Sequence, residues 1–294
     1  MTKDFLSPKS DVVFKLLFGD KRNGDLLRDF LKSIVKLPDD EFSEIVIVDP
    51  HLLRKHPDKK LGILDLKVKT KSGKIIHVEI QLSGLPQMRE RIVFYDAGLI
   101  TDQIDTGEDY GLLKRVITIL IVDYILIPDT PRYHNRFTFY DPASGMEFTD
   151  LMEIDTLELP KLPKMADNYL WHWLRFLRAE SMEDLDMVAQ ASPQLKKVVV
   201  KLLKLSQDER ARMLYEAEVK QQRDNRARLR GALEQGLTEG KAEGKAEGEI
   251  KGRISGKHEK ALEIARKLLN RNMPINTIVE DTGLSREEIE KLRS

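Results

Sequence analysis

Residues 61–82 read LGILDLKVKTKSGKIIHVEIQL, two arms of alternating character around a short polar connection. Leu64, Leu66 and Val68 form the apolar set of the first arm. Ile76, Val78, Ile80 and Leu82 form that of the second, a period of two that specifies β-strands. Lys71-Ser72-Gly73 is a Gly-containing connection of the kind that closes a hairpin. With the turn centred on Ser72, Asp65 faces Glu79 and Ile63 faces Gln81; a bulge would shift this by one residue and leave the acids as neighbours. Opposed side chains in such a ladder sit roughly 4.5–5.5 Å apart at Cβ, and like charges there repel. A divalent cation bound by both carboxylates removes that repulsion and brings chemistry suited to phosphodiesters.

Asp65, Lys67, His77, Glu79 and Gln81 share the face opposite the apolar set. Periodicity alone describes that face as the solvated side of an amphipathic sheet. The Glu-x-Gln pair, two residues apart on one side of a strand, also suits a carboxylate ligand beside an amide that holds water or phosphate.

The surrounding chain frames this hairpin. Two apolar-striped helices precede it within residues 9–36, broken near Gly19 to Gly24 and stopped by Pro38, and Ile45 to Val48 forms a short strand. A helix from Pro86 to about Ile104 follows, with Met88, Ile92, Tyr95, Leu99 and Thr101 on one side. Arg115–Ile127 returns to strand, and Phe137–Tyr140 and Glu147–Ile154 predict two more. The order helix, three strands, helix, strand is that of a mixed α/β core. Every segment beyond Pro160 and Pro163 has helical spacing, beginning with the aromatic stripe Tyr169, Leu170, Trp173, Leu174 and Leu177. The chain therefore divides into a core over 1–160, a helical region over 161–230 packing on or extending it, a glycine-spaced segment over 231–258 and a helical hairpin over 259–294.

Composition limits the function classes. The 294 residues carry no cysteine, which excludes disulfides, thiolate metal sites and cysteine nucleophiles and is compatible with a reducing compartment. The start lacks the apolar segment of a secretory leader, and the longest apolar run, Val116–Ile127, is interrupted by Asp123 and too short to span a bilayer. A cytoplasmic protein with no membrane partner is expected. Formal net charge is zero, against polyanion binding over the whole surface. Residues 54–74 nevertheless hold eight basic and two acidic residues, and residues 101–150 hold nine acids and four bases. The basic excess surrounds the carboxylate pair, where a phosphate backbone would lie, although a lysine-rich strand edge also serves simply against aggregation.

Glycines at 231, 236, 240, 244, 248, 252 and 256 punctuate a Lys/Glu-rich stretch. Each glycine inside a helix costs about 0.8–1.0 kcal/mol relative to Ala. The stretch is either a flexible charged linker or a helix whose missing side chains allow close approach in an oligomer. The tail INTIVEDTGLSREEIEKL places Gly283 at a helix C-cap and Ser285 and Glu288 in a capping box. This resembles part of a helix-turn-helix, but the second helix is rich in acid, so the tail is read as a small structural hairpin rather than a DNA reader.

The segments Asp11–Gly19 (DVVFKLLFG), Ile63-Leu-Asp65, Val78-Glu79-Ile-Gln81 and Arg91–Tyr95 (RIVFY), with the glycine-punctuated tail, resemble the recombination-promoting nuclease (Rpn)/transposase family of the PD-(D/E)XK superfamily. That resemblance implies a restriction-endonuclease-like core, a mixed sheet flanked by helices, followed by an all-helical C-terminal region. It also implies a DNA endonuclease using Mg²⁺, or another divalent cation such as Mn²⁺ or Ca²⁺, with little sequence specificity and a role in recombination or mobile elements. Asp65 and Glu79 match the two metal-binding acids. Gln81 stands where the superfamily usually has lysine, so Lys67 and Lys15 become candidates to offset transition-state charge. Asp11 matches an acidic position on the first helix and is a candidate further ligand. Lys15, Lys69, Lys71, Arg91 and Tyr95 are candidate contacts to the DNA backbone; Arg91 and Tyr95 either touch the scissile strand or brace their helix. His77 is a weak competitor for the role of base. A homodimer through the helical C-terminal region would allow both strands to be cut. The rival functions are a catalytically inactive DNA-binding or oligomeric protein on the same scaffold, and an enzyme acting on RNA or small phosphorylated substrates.

Overall fold

The hairpin register is the one that the turn at Ser72 predicts. In a computed structural model that describes residues 5–48, 66–84, 87–166 and 168–292, strand β2 (Leu66–Lys69) pairs antiparallel with β3 (Ile75–Gln81). Leu66 lies opposite Val78 and Lys67 opposite His77. Gly73 has φ +89°, a conformation that favours glycine, and lets Gly73 N–H donate to the Thr70 carbonyl at 2.9 Å. Asp65, predicted to face Glu79, lies outside the described residues.

The described strands form one six-stranded sheet in the order β1-β2-β3-β4-β6-β5. Strand β1 (Val46–Val48) runs antiparallel to β2; β3, β4 (Val116–Val122) and β6 (Glu147–Glu158) are mutually parallel; β5 (His134–Tyr140) closes one edge antiparallel to β6. Helix α3 (Met88–Thr101) connects β3 to the parallel β4. A parallel connection of this kind needs a crossover, and the crossover buries both faces of the strands it joins. Strand β4, VITILIV, is accordingly buried along its whole length.

The two faces have different covers. Ile76, Val78, Ile80, Ile117, Ile119 and Ile121 join the main core with α1 (Asp11–Phe18), α2 (Gly24–Ile34), α4 (Tyr169–Arg178), α5 (Met182–Ala191) and α6 (Pro193–Leu205). The rings of Phe14, Phe18, Phe30 and Trp173 meet there with centroids 4.6–6.0 Å apart. Burying each such side chain contributes roughly 1.5–3 kcal/mol. The Trp173 indole and the Tyr169 hydroxyl both donate to Asp29 Oδ2, so these two donors at the aromatic cluster are satisfied. The aromatic stripe of α4 is thus core packing, and helices α4–α6 share the main core with the inner face of the sheet.

On the other face, α3 lays Leu99 against Ile75 and Val116, and Met88 and Ile92 against Leu120 and Val122. Asp96 occupies the buried stripe of this helix, whereas Thr101, assigned to that stripe from its spacing, is exposed. Strand β4 ends at Val122, short of Ile127. Asp123 accepts the Lys9 ammonium at 2.5 Å, and the N–H groups of Leu126 and Ile127 donate to the Glu158 carboxylate instead of to a strand.

The chain divides into two units, Met1–Val219 and Lys220–Ser294. Helix α7 (Glu209–Leu269) begins in the first and ends in the second, so residues 231–258 are helical. A Cβ added at any of its glycines would meet nothing within 4 Å beyond the neighbouring residues and the adjacent turns of its own helix backbone. In the second unit, the end of α7 packs with α8 (Ile275–Thr282) and α9 (Arg286–Lys291) around Ala265, Ile278, Leu284 and Ile289. Gly283 at φ +70° caps α8, and Ser285 with Glu288 forms the capping box of α9, as their spacing predicts.

Candidate active site

Strand β3 turns His77, Glu79 and Gln81 toward α3, the face that periodicity alone describes as solvated. The structure corrects that description: His77 is 0% and Glu79 2% exposed. The reason is the crossover, since α3 must cover the sheet between β3 and β4.

Glu79 is held on one side. Its Oε1 accepts from Gln81 Nε2 at 2.7 Å and lies 3.5 Å from the Arg91 guanidinium. Its Oε2 is buried with no hydrogen-bond partner among the described residues, and His77 Nε2 lies 3.5 Å from it. Arg91 also stacks on the Tyr95 ring, 5.4 Å from its centroid, so it touches the acid and braces the helix at once.

Behind Glu79 lies a polar group that sequence reasoning passed over. His77 Nδ1 is 3.3 Å from Thr118 Oγ1 on β4 and 3.8 Å from Asp96 Oδ1 on α3, and the Thr118 hydroxyl donates to the same Asp96 oxygen at 2.5 Å. Burial would lower the pKa of the imidazole, but the flanking Asp96 and Glu79 carboxylates outweigh it and raise the pKa to about 9. The missed residues did leave a signal: Asp96 interrupts the apolar stripe of α3, and Thr118 is the lone polar residue in VITILIV.

The other candidates are scattered. Asp11 opens α1, its Oδ2 on Lys15 at 2.9 Å and its Oδ1 buried without a hydrogen bond. Glu218, from the start of α7, covers the same helix end, accepting from the Ser10 hydroxyl and from the N–H groups of Asp11 and Val12. Lys67 is half-buried opposite His77; burial, then the neighbouring Lys69, lowers its pKa. Lys69 is exposed. Lys71 and Lys74 are not free for phosphate: Lys71 pairs with Asp40 at 2.9 Å and Lys74 with Glu41, which tie the hairpin turn to residues 40–41.

A buried carboxylate oxygen without a donor is what a cation would satisfy, and Glu79 Oε2 with the hard oxygen of the Gln81 amide suits Mg²⁺, Mn²⁺ or Ca²⁺. Among the described residues no three His, Asp or Glu side chains converge closely enough to hold a metal by themselves. The second acid that the resemblance names, Asp65, is outside those residues.

Comparison with known proteins agrees with this architecture. Residues 8–232 match the family model described as PD-(D/E)XK nuclease family transposase, and residues 258–294 match that of the Rpn/YhgA-like nuclease family, C-terminal HTH domain. No curated protein and no solved structure gives a significant match. The second match corrects the reading of the tail as a plain hairpin: it is a helix-turn-helix domain, though one whose last helix carries Glu287, Glu288 and Glu290. No helix among the described residues is long and apolar enough to cross a membrane. A mixed sheet with Glu79 and Gln81 on its central strand, helices on both faces and a helix-turn-helix tail together place the chain in the PD-(D/E)XK nuclease family of transposases.

Proposed function

We propose that the protein is a divalent-metal-dependent DNA endonuclease that hydrolyses phosphodiester bonds with little base specificity. The observation that carries this reading is Glu79, a carboxylate buried at the sheet–α3 boundary with one oxygen anchored and the other without a donor. Glu79 and Asp65 would hold the ion, with Asp11 as a further acid. When bound, such a cation supplies Lewis-acid polarisation of a phosphate oxygen and lowers the pKa of water.

The chain's own residues do the rest. Gln81 fixes the Glu79 carboxylate through its amide nitrogen. Lys67, whose lowered pKa comes first from burial, would offset charge that develops on the phosphate or exchange a proton with water. Lys69 is exposed and could meet a DNA backbone, Arg91 offers a guanidinium beside Glu79 while stacked on the Tyr95 ring, and Lys15 is shared with Asp11. Lys71 contributes only when it leaves Asp40.

Pairing of two copies through α7 is supported by Leu229, Leu233, Leu237, Ile250 and Ile254, each more than half exposed beside the glycines. A pair would bring two sites to one duplex. A DNA substrate and the absence of cysteine favour the cytoplasm.

The test is plasmid nicking in Mg²⁺, or in Mn²⁺ or Ca²⁺, by the full chain beside Asp65→Ala and Glu79→Ala. Loss of nicking in both variants with DNA binding retained supports the reading. Nicking that persists in both, or none by the unaltered protein with any of the three ions, overturns it. Equal cleavage of RNA would replace the substrate class.

A further inference from the structure

The Thr118–Asp96–His77 group lies in an otherwise apolar layer. Ile75, Leu99 and Val116 pack on one side of it, and Met88, Ile92, Leu120 and Val122 on the other. His77, Asp96 and Thr118 are each 0% exposed. They come from three elements, β3, α3 and β4, so no local turn or cap explains their meeting. Polar groups buried in such a layer cost free energy unless paired, and an apolar trio of similar volume would serve packing at least as well. Their geometry is directional. Asp96 takes the Thr118 hydroxyl, both face Nδ1 of the imidazole, and the opposite ring nitrogen faces the one Glu79 oxygen that nothing else holds. Gln81 and Arg91 meet the carboxylate at its other oxygen.

We propose that His77 is a positioning residue: backed by Asp96 and Thr118, it fixes the orientation of Glu79 Oε2 for the cation without itself binding the ion. This rests on Glu79 being a cation ligand and names the residues that aim it. Ligand-orienting partners of this kind are one shell removed from the ion, yet their loss weakens metal binding because the carboxylate must then be ordered on binding. The reacting atoms remain with Glu79 and the groups beside it.

The experiment titrates Mn²⁺ alone into the full-length protein and counts free ion by electron paramagnetic resonance, with thermal unfolding as the control for folding. His77→Leu and Asp96→Asn should weaken Mn²⁺ binding about 10- to 100-fold. Thr118→Val should do so less, and His77→Gln, whose amide keeps a donor toward Glu79, should recover most of the affinity. Folded His77→Leu and Asp96→Asn proteins with unaltered affinity overturn the proposal, as does a His77→Gln variant no better than His77→Leu. A directly coordinated nitrogen in the Mn²⁺ spectrum also overturns it, since His77 would then be a ligand. Should His77→Leu fail to fold, Asp96→Asn and Thr118→Val decide by the same criterion. Glu79→Gln separates the two levels: unaltered affinity there removes the cation site itself, whereas lost affinity there with normal Asp96→Asn removes only the positioning role.

Discussion

Adjacent residues of β3 live in two different surroundings. Ile76, Val78 and Ile80 enter an apolar core under α1, α2 and α4–α6, while His77 and Glu79 enter a buried layer under α3 that mixes aliphatic groups with three carboxyl, hydroxyl and imidazole partners. Both faces exclude water, so they differ in what the covering element supplies rather than in burial. An alternating strand announces that it has two faces; it does not announce that the polar one is wet.

That contrast can be broken experimentally. On the apolar face, Ile76→Ala removes a fully buried side chain and should destabilise by about 2–5 kcal/mol, read as the urea midpoint, with nicking per folded molecule unchanged. Three residues further along, on the other face, Glu79→Gln should do the reverse: nicking falls about 100-fold, some 2.7 kcal/mol in the barrier, while the urea midpoint moves far less than for Ile76→Ala. Equal effects of both variants on both readouts would mean that the two faces are not functionally distinct.

The turn that sets which residues face which way gives a smaller and pH-dependent effect. The Lys74 ammonium, with help from the Thr70 and Ser72 hydroxyls and against the effect of burial, lowers the Glu41 pKa to about 2. A depressed carboxylate stabilises the fold above its ordinary value of 4.5, and that contribution disappears as pH falls from there toward 2. Glu41→Gln should therefore cost about 1.5–2 kcal/mol at pH 7 and nothing measurable near pH 2. A difference that grows on acidification would contradict the sign. Gly283→Ala, at φ +70° in the second unit, should cost that unit about 1 kcal/mol and leave Glu79 chemistry alone. Lys71→Ala removes a solvent-screened pair with Asp40 and should change stability by less than about 0.5 kcal/mol in the same urea titration.

The segments that were legible in the sequence are those with local causes. Gly73 and the two alternating arms determined the hairpin register, Gly283 and Ser285 mark a helix end and a helix start, and the motif segments that include Glu79 and Gln81 carried the family. The glycine-spaced stretch left two states open because each glycine weakens a helix only modestly, and here the flanking Lys/Glu-rich turns continue it through Leu269. What could not be read was the fate of charges whose partners are distant in sequence. Lys71 and Lys74 read as a basic patch until Asp40 and Glu41, about thirty residues earlier, are folded against them.

By itself, then, the chain's order of residues determined two apolar periodicities, their turns and caps, and the pair Glu79 and Gln81 on one strand. Only the tertiary structure decided that Glu79 would be buried, with Gln81 half-buried beside it. Burial of a side chain depends on the element that crosses over it, and α3 reaches β3 through a connection that no local spacing encodes. The same crossover brought Asp96 and Thr118 to His77, because hydrogen bonds across a sheet and its covering helix require three-dimensional proximity rather than sequence proximity.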